Sequence, residues 1–239
     1  MGGAVDSALL PGDGGLGDRV PFLARLEAED ASALRGLGRP IAFAARSPLM
    51  QQHEPSTHVL LILTGWTKVT VAGAGGYHAL LALRGPGDIV GESAGVTGRP
   101  RSATVTALEP VQAVAIDQHG FHAFLAHHPR VALTLLGLSA DRIRAADQRQ
   151  LEFASLGVRE RLATLLLDLS RTHGRRTDDG VEITVPLTKQ ELAGAVGASR
   201  EMVQRQLREL RDRGVVSTGR RALVIVRPDV LHRIGRPRP

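Results

Sequence analysis

"LTKQELAGAVGASREMVQRQLRELRDRGVV", residues 187–216, is the stretch from which the rest of the chain can be read. Thr188 stands where a helix N-cap belongs, and Glu191 three residues later completes a capping box. Leu192 and Val196 recur at helical spacing, and Gly197 permits the left-handed backbone that ends a helix. Ser199 caps a second helix whose inner stripe is Val203, Leu207 and Leu210. Its outer, N-terminal face carries Arg200, Glu201, Gln204, Arg205 and Arg208. Two short helices with a tight turn, the second presenting Arg and Glu, match a helix-turn-helix that offers a recognition helix to the DNA major groove.

The residue types suit that task. Arg reads guanine O6 and N7 in bidentate fashion and Glu accepts from cytosine N4, so Arg200, Glu201 and Arg205 are the expected base readers. Thr188, Ser199, Gln204, Arg208 and, further along, Arg211 are expected at the sugar–phosphate backbone. Past Gly214, "VVSTGRRALVIV" has the pattern of a hairpin turning near Thr218–Gly219, a wing whose Arg220 and Arg221 would meet phosphates. The competing reading makes Glu201 and Arg205 an i,i+4 ion pair on a solvated helix.

Charge agrees with the placement. From residue 157 to 239 Lys and Arg outnumber Asp and Glu by seven, while the 239-residue chain carries +6, so residues 1–156 are near neutral. A basic C-terminal third points to a polyanion partner for that part alone, or to Arg used as ordinary solvated surface. Aromatic residues make up 3% of the chain, too few for an aromatic platform that stacks bases. The absence of cysteine excludes disulfides, thiolate zinc sites and cysteine-held iron–sulfur clusters. No apolar run approaches the roughly 18 residues of a membrane span, and the N-terminus lacks a signal peptide's basic start, so a cytoplasmic protein with no membrane partner is expected.

Upstream, residues 1–18 are Gly-rich and poor in large apolar side chains, the composition of a mobile tail. "VPFLARLEAEDASALRGL" (20–37) has helical spacing. From Ile41 to Ile116 the pattern becomes short strands, among them 58–63, 66–71 and 77–83, with "AGAGG" and "RGPGD" as turns. This series predicts a small antiparallel roll or barrel. Helical patterning returns at "HGFHAFLAHH" and continues from Arg130 to about Phe153. There Leu133, Leu136, Ala140, Ile143, Asp147, Gln150 and Ala154 form a seam at steps of three and four, suited to an identical helix across a two-fold axis or to packing on its own domain. Ser155–Gly157 is a hinge, "VRERLATLLLDLSR" a further helix, "THGRRTDDG" a polar loop and "VEITVP" a strand.

With these motifs in hand, the chain resembles the Crp/Fnr transcription regulators over about residues 20–232, most specifically in Ser-Arg-Glu-x-x-x-Arg at Ser199–Arg205. The resemblance implies a homodimer paired through residues 130–154, two TGTGA-like half-sites in inverted repeat, and RNA polymerase as a partner. It also maps the family's phosphate-binding cassette onto "GDIVGESAGVTGRPRSATV" (87–105). Carried over, Gly91, Glu92, Ser93, Arg101, Ser102 and Ala103 would hold a cyclic nucleotide, Glu92 on the ribose and Arg101 with Ser102 on the phosphate. Where cAMP-responsive members carry Thr with Ser or Asn on the long helix, this chain has Ala146 and Asp147, which argues against cAMP. Asp147 is instead a good acceptor for guanine N1–H and N2–H₂. The other reading is a vestigial cassette in which Glu92 and Arg101 pair with each other.

The expected fold is therefore α+β. It comprises a disordered tail (1–19), an antiparallel β-roll of the double-stranded β-helix, cyclic-nucleotide-binding-like type (20–128), a dimerisation helix and hinge (129–156), and a winged helix-turn-helix (157–239). No nucleophile elbow, Walker loop or metal-ligand cluster is present, so neither an enzyme nor a metal protein is expected, and no cofactor is required beyond a cyclic-nucleotide effector. A ligand-independent DNA-binding dimer and a protein-interaction or nucleotide-binding module that leaves DNA alone remain as alternatives.

Overall fold

The computed structural model describes residues 15–18, 20–219 and 223–235. A 3-10 turn, Phe22–Arg25, leads into α1 (Ala28–Gly36), with Leu26 extended between them. The single helical stretch expected over 20–37 is thus broken in two. Eight strands follow: β1 (Arg39–Phe43), β2 (Pro48–Met50), β3 (His58–Thr64), β4 (Thr67–Ala72), β5 (His78–Arg84) and β6 (Ile89–Val90), then, after the short helix α2 (Glu92–Thr97), β7 (Thr104–Ala107) and β8 (Val111–Asp117). They form two four-stranded antiparallel sheets, ordered β1-β8-β3-β6 and β2-β7-β4-β5.

The run "HVLLILT" explains how the roll is filled. Alternate residues of a strand point to opposite faces. Leu60 and Ile62 enter the space between the sheets with Leu49, Val105 and Val111. Val59 and Leu61 point the other way, onto Phe22, Leu34, Phe121 and Leu138. A strand covered on both faces needs no polar alternation, and this one has none.

Helix α3 (Gln118–His127) is capped by Asp117, whose carboxylate accepts from the Gly120 N–H at 2.9 Å. Helix α4 (Pro129–Ser155) has two apolar stripes. Val131, Leu135 and Leu138 are buried against the roll. The coiled-coil-like seam faces away: Leu133, Leu136 and Ile143 are 68%, 66% and 62% exposed. Packing of this seam on its own domain is therefore ruled out, because another set of residues does that work. Leu156 is extended and Gly157 caps the next helix, so the chain leaves helical geometry between Ser155 and Val158, the place where the sequence reading expects a hinge.

The C-terminal part comprises α5 (Val158–Thr172), β9 (Gly174–Thr177), β10 (Gly180–Ile183), α6 (Lys189–Val196), α7 (Arg200–Asp212), β11 (Val216–Thr218), β12 (Leu223–Ile225) and α8 (Pro228–Gly235). Its sheet runs β11-β12-β10-β9. The polar loop expected at "THGRRTDDG" is in fact strand β9, paired antiparallel to β10. Its four residues are all exposed, so no apolar alternation marks it, and its partner strand supplies the pairing.

The two halves are packed together. One apolar cluster joins Leu80, Leu83 and Leu108 of the roll to Leu162, Leu166, Leu192 and Val196 of the winged part. The tail expectation needs correction at its described end. Leu16 is 3% exposed within that same cluster, and its carbonyl accepts from the Leu83 N–H at 2.7 Å. Asp18 forms ion pairs with Arg142 (2.7 Å) and Arg84 (3.6 Å). Residues 15–18 are a strap across the domain boundary, held by the buried Leu16, whose carbonyl also accepts from Arg84 at 3.3 Å, by the backbone bond from Leu83 and by the Asp18 carboxylate. Among the described residues, no helix is long and apolar enough to cross a membrane.

Candidate functional site

The helix-turn-helix is built by the local chemistry its sequence announces. Thr188 Oγ1 accepts from the Glu191 N–H, and the Glu191 carboxylate accepts from the Thr188 N–H at 2.6 Å, closing the capping box. Gly197 ends α6 at φ 63°, ψ 47°, and Ser199 Oγ accepts from the Met202 N–H at 3.2 Å to start α7. Val203, Leu207 and Leu210 are buried, which aims the opposite face outward. Arg200, Glu201, Arg205 and Arg208 are exposed and Gln204 is half-buried.

The trio Arg200, Glu201 and Arg205 thus shares one solvent-facing surface at the start of α7. Hydrogen bonds from its own backbone N–H and from Ser199 hold the Glu201 carboxyl below its ordinary pKa, so it stays an acceptor. Arg205 Nη2 lies 2.8 Å from Met202 Sδ, and no described hydrogen bond or ion pair joins it to Glu201. The i,i+4 pair is therefore not formed, and the guanidinium is open to a ligand. Thr188 and Ser199 are exposed but spend their hydroxyls on the caps. The wing strands β11 and β12 are present, while Arg220 and Arg221 lie outside the described residues.

Helix α6 is anchored to the roll. The outer oxygen of Glu191, Oε1, accepts from Lys68 Nζ at 2.7 Å and from Arg46 at 3.0 Å. Burial pushes this carboxyl up, but the hydrogen bonds from Lys68 and Thr188 outweigh it and hold it below the ordinary range. Gly194 permits the closest approach, since a Cβ there would stand 2.5 Å from the His78 carbonyl oxygen of β5. Phe153, from the last turns of α4, packs against Gly197, and Arg161 lies over the Phe153 ring at 4.9 Å while donating to the Val196 carbonyl at 2.9 Å. The turn of the helix-turn-helix is thus in contact with the long helix.

The cassette is assembled but internally engaged. Gly91 has φ 79°, and a Cβ there would lie 2.5 Å from Arg101 Nη1. The Arg101 guanidinium, 4% exposed, donates to the Gly91 carbonyl at 3.0 Å and to the His58 carbonyl. Burial lowers its pKa, and Glu92 and Glu54 nearby oppose that. Glu92 does not pair with Arg101, contrary to the vestigial-cassette reading. Its partner is Arg142 of α4, whose Nη1 is 2.6 Å from Glu92 Oε1. The same guanidinium reaches Asp18 and the Ile89 carbonyl. Ser93 and Ser102 are exposed and Ala103 is half-buried. Asp147 lies on the exposed seam of α4, and among the described contacts none joins it to Gly91, Glu92 or Arg101.

Arg142 is the functional-site residue that sequence reasoning missed. The signal existed: positions 135, 138 and 142 continue the inner stripe of α4, and a cation on a buried stripe must find a carboxylate. Asp18, Arg84 and Asp88 complete the network and carry no comparable local signal.

Comparison with known proteins agrees with this architecture. Residues 40–128 match the cyclic nucleotide-binding domain family and residues 160–234 the Crp-like helix-turn-helix domain family. The chain is 28% identical over 207 residues to a CRP-like cAMP-activated global transcriptional regulator of Mycobacterium tuberculosis, covering 87% of this chain and 92% of that one. It is 32% identical over 173 residues to the cyclic AMP receptor protein of Thermus thermophilus, covering 72% and 76%. Among solved structures, FixK2 from Bradyrhizobium japonicum superposes with a TM-score of 0.74 at 20% identity, covering 84% of this chain and 99% of that one.

Proposed function

The chain belongs to the Crp/Fnr family of transcription regulators, which are not enzymes, and from that premise we propose that it works as a homodimer on a pseudo-palindromic, TGTGA-like DNA site. The observation that carries the reading is the split of α7 into a buried face, Val203, Leu207 and Leu210, and an exposed N-terminal face of Arg200, Glu201 and Arg205. The exposed seam of α4 supports the dimer: apolar side chains that no residue of their own domain covers are suited to a second copy. In this reading Arg200, Glu201 and Arg205 read base edges, and Arg208, Gln204, the wing arginines Arg220 and Arg221, and the ends of α6 and α7 at Thr188 and Ser199 follow the backbone. RNA polymerase is the proposed protein partner.

Selection of bound duplexes from a random pool, followed by binding of variants, tests this. Arg200→Ala should weaken the selected site by about tenfold or more and leave random DNA little changed, since each base contact discriminates by about 1–3 kcal/mol. Arg208→Ala should weaken all duplexes and flatten the salt dependence. Equal losses on every sequence from both variants would overturn the assignment.

The roll is proposed as a sensor for a small molecule, a cyclic nucleotide on Glu92, Arg101, Ser102 and the turn Gly91–Ser93, with Asp147 favouring guanine over adenine. A second reading, a dimer that needs no ligand, is favoured by Arg142, which already occupies Glu92. Calorimetry with cAMP, cGMP and cyclic dinucleotides separates the two; heat from none of them supports the ligand-free dimer.

A further inference from the structure

Between the roll and the winged part lies a cleft of about 730 Å³, distinct from the cassette. Its floor and walls are aliphatic: Leu108 and Pro110 from the roll, and Val185, Leu192, Leu207 and Leu223 from the winged part. No aromatic ring lines it, so it offers nothing for a base to stack on. Its volume falls within the range of small-molecule sites, roughly 300–1,000 Å³.

The lining also carries polar groups, the hydroxyls of Thr188 and Thr218 and three charged side chains. Arg46 and Lys189 line the cleft beside Glu109. The Arg46 guanidinium is half exposed, and it shares a single carboxylate oxygen of Glu191 with Lys68. Glu109 is occupied by the Trp66 N–H at 3.1 Å. Among the described lining residues two cations, Arg46 and Lys189, therefore stand with one carboxylate, Glu109, beside an apolar slot.

We infer that this cleft is a second ligand site, and that its ligand is an amphipathic monocarboxylate with an aliphatic body. The carboxylate would take a charge-assisted hydrogen bond from Arg46 or Lys189 while the body fills the slot. Because the walls come from both halves of the chain, such a ligand binds the docked arrangement and no other, and so shifts the population toward it. That last step deepens the DNA-binding reading and rests on it; the binding itself does not.

The test uses decanoate and the full-length protein without DNA. The chain has one tryptophan, Trp66, whose backbone carbonyl accepts from the N–H of the lining residue Leu108 at 2.8 Å, so a fluorophore lies near the cleft. Saturable change in Trp66 emission is expected below the micellar range, confirmed by calorimetry. Decanol should bind about tenfold more weakly, as should decanoate to Arg46→Gln combined with Lys189→Gln. Ala45→Phe, which narrows the cleft from its exposed edge, should abolish binding while keeping the far-ultraviolet circular dichroism of the parent. No saturable response, equal response to decanol, or an unchanged response in Ala45→Phe would overturn the site. If decanoate binds but leaves affinity for the selected duplex unchanged, the site stands and its coupling to DNA falls.

Discussion

Arg142 and Glu92 are joined at 2.6 Å, the long helix reaching into the cassette of its own chain. The guanidinium is also bonded to Asp18 at 2.7 Å, so one cation holds two carboxylates that come from the cassette and the strap. Burial opposes its charge, and the carboxylates around it more than compensate, keeping it protonated at any working pH. This contact engages Glu92 within its own chain.

Removing Arg142 should therefore cost more than removing a surface arginine. Arg142→Gln leaves Glu92 partly buried without this cation and Asp18 with Arg84 at 3.6 Å, a loss of about 2–4 kcal/mol, below the full value for a sealed pair because all three side chains keep some solvent contact. Adding Glu92→Gln should return part of that stability. Urea midpoints of the single and double variants check this; strictly additive losses would show that the pair is not coupled.

The strap makes its own prediction. Leu16→Ala removes a side chain buried between the two halves and should lower stability by about 2–3 kcal/mol, the lower part of the range for buried leucines because backbone outside the helices and strands can settle into the space. A freely moving tail would show no loss in the same urea titration.

Two buried titratable groups oppose each other in acid. Burial raises the Asp88 carboxyl to about 6 from 3.8, against the Gly85 N–H and nearby arginines, and its Oδ1 has no hydrogen-bond partner. Its contribution to stability is present below the unfolded value and is lost as pH rises through about 6. Burial lowers His173, which packs edge-on to Trp66, to about 4 from 6.5. Its contribution is present above 6.5 and is lost as pH falls toward 4. Between those limits the two slopes largely cancel. Relative to the parent, Asp88→Asn should lose stability as pH falls from 6.5 to 4, and His173→Gln should gain it. Urea midpoints across that window check the signs; curves parallel to the parent for both variants would contradict them.

The proposed dimer seam can be broken without touching the inner stripe. Leu136→Glu with Ile143→Glu places two charges on exposed positions, so the monomer fold should be retained while association is weakened by at least about a hundredfold. Sedimentation equilibrium and circular dichroism read the two effects separately. An unchanged oligomeric state would move the interface elsewhere.

What could be read from the chain beforehand follows a physical division. Thr188, Glu191, Gly197 and Ser199 act within a few residues of themselves, so the helix-turn-helix was legible position by position. The strands of the roll were legible because Val59 to Ile62 are covered on both sides and had to be apolar throughout. Strand β9 was hidden because its residues are all exposed and polar or glycine, and its conformation is borrowed from β10. The strap and the Asp18–Arg142–Glu92 network were hidden for the opposite reason. Their partners are separated by 124 and 50 residues, and nothing in the Gly-rich neighbourhood of Leu16 marks it as a core residue.

Gly197 is constrained twice over. Its φ of 63° would admit an asparagine, which tolerates that conformation, but the Phe153 ring stands where any Cβ would go, 2.5 Å away. The repertoire of residues acceptable in this turn is thus narrowed by a side chain on another helix, 44 positions earlier, as well as by turn chemistry. Variation at 153 and at 197 should be correlated across related chains: a smaller residue at the first position opens the second to asparagine, and the pair drifts together or stays still.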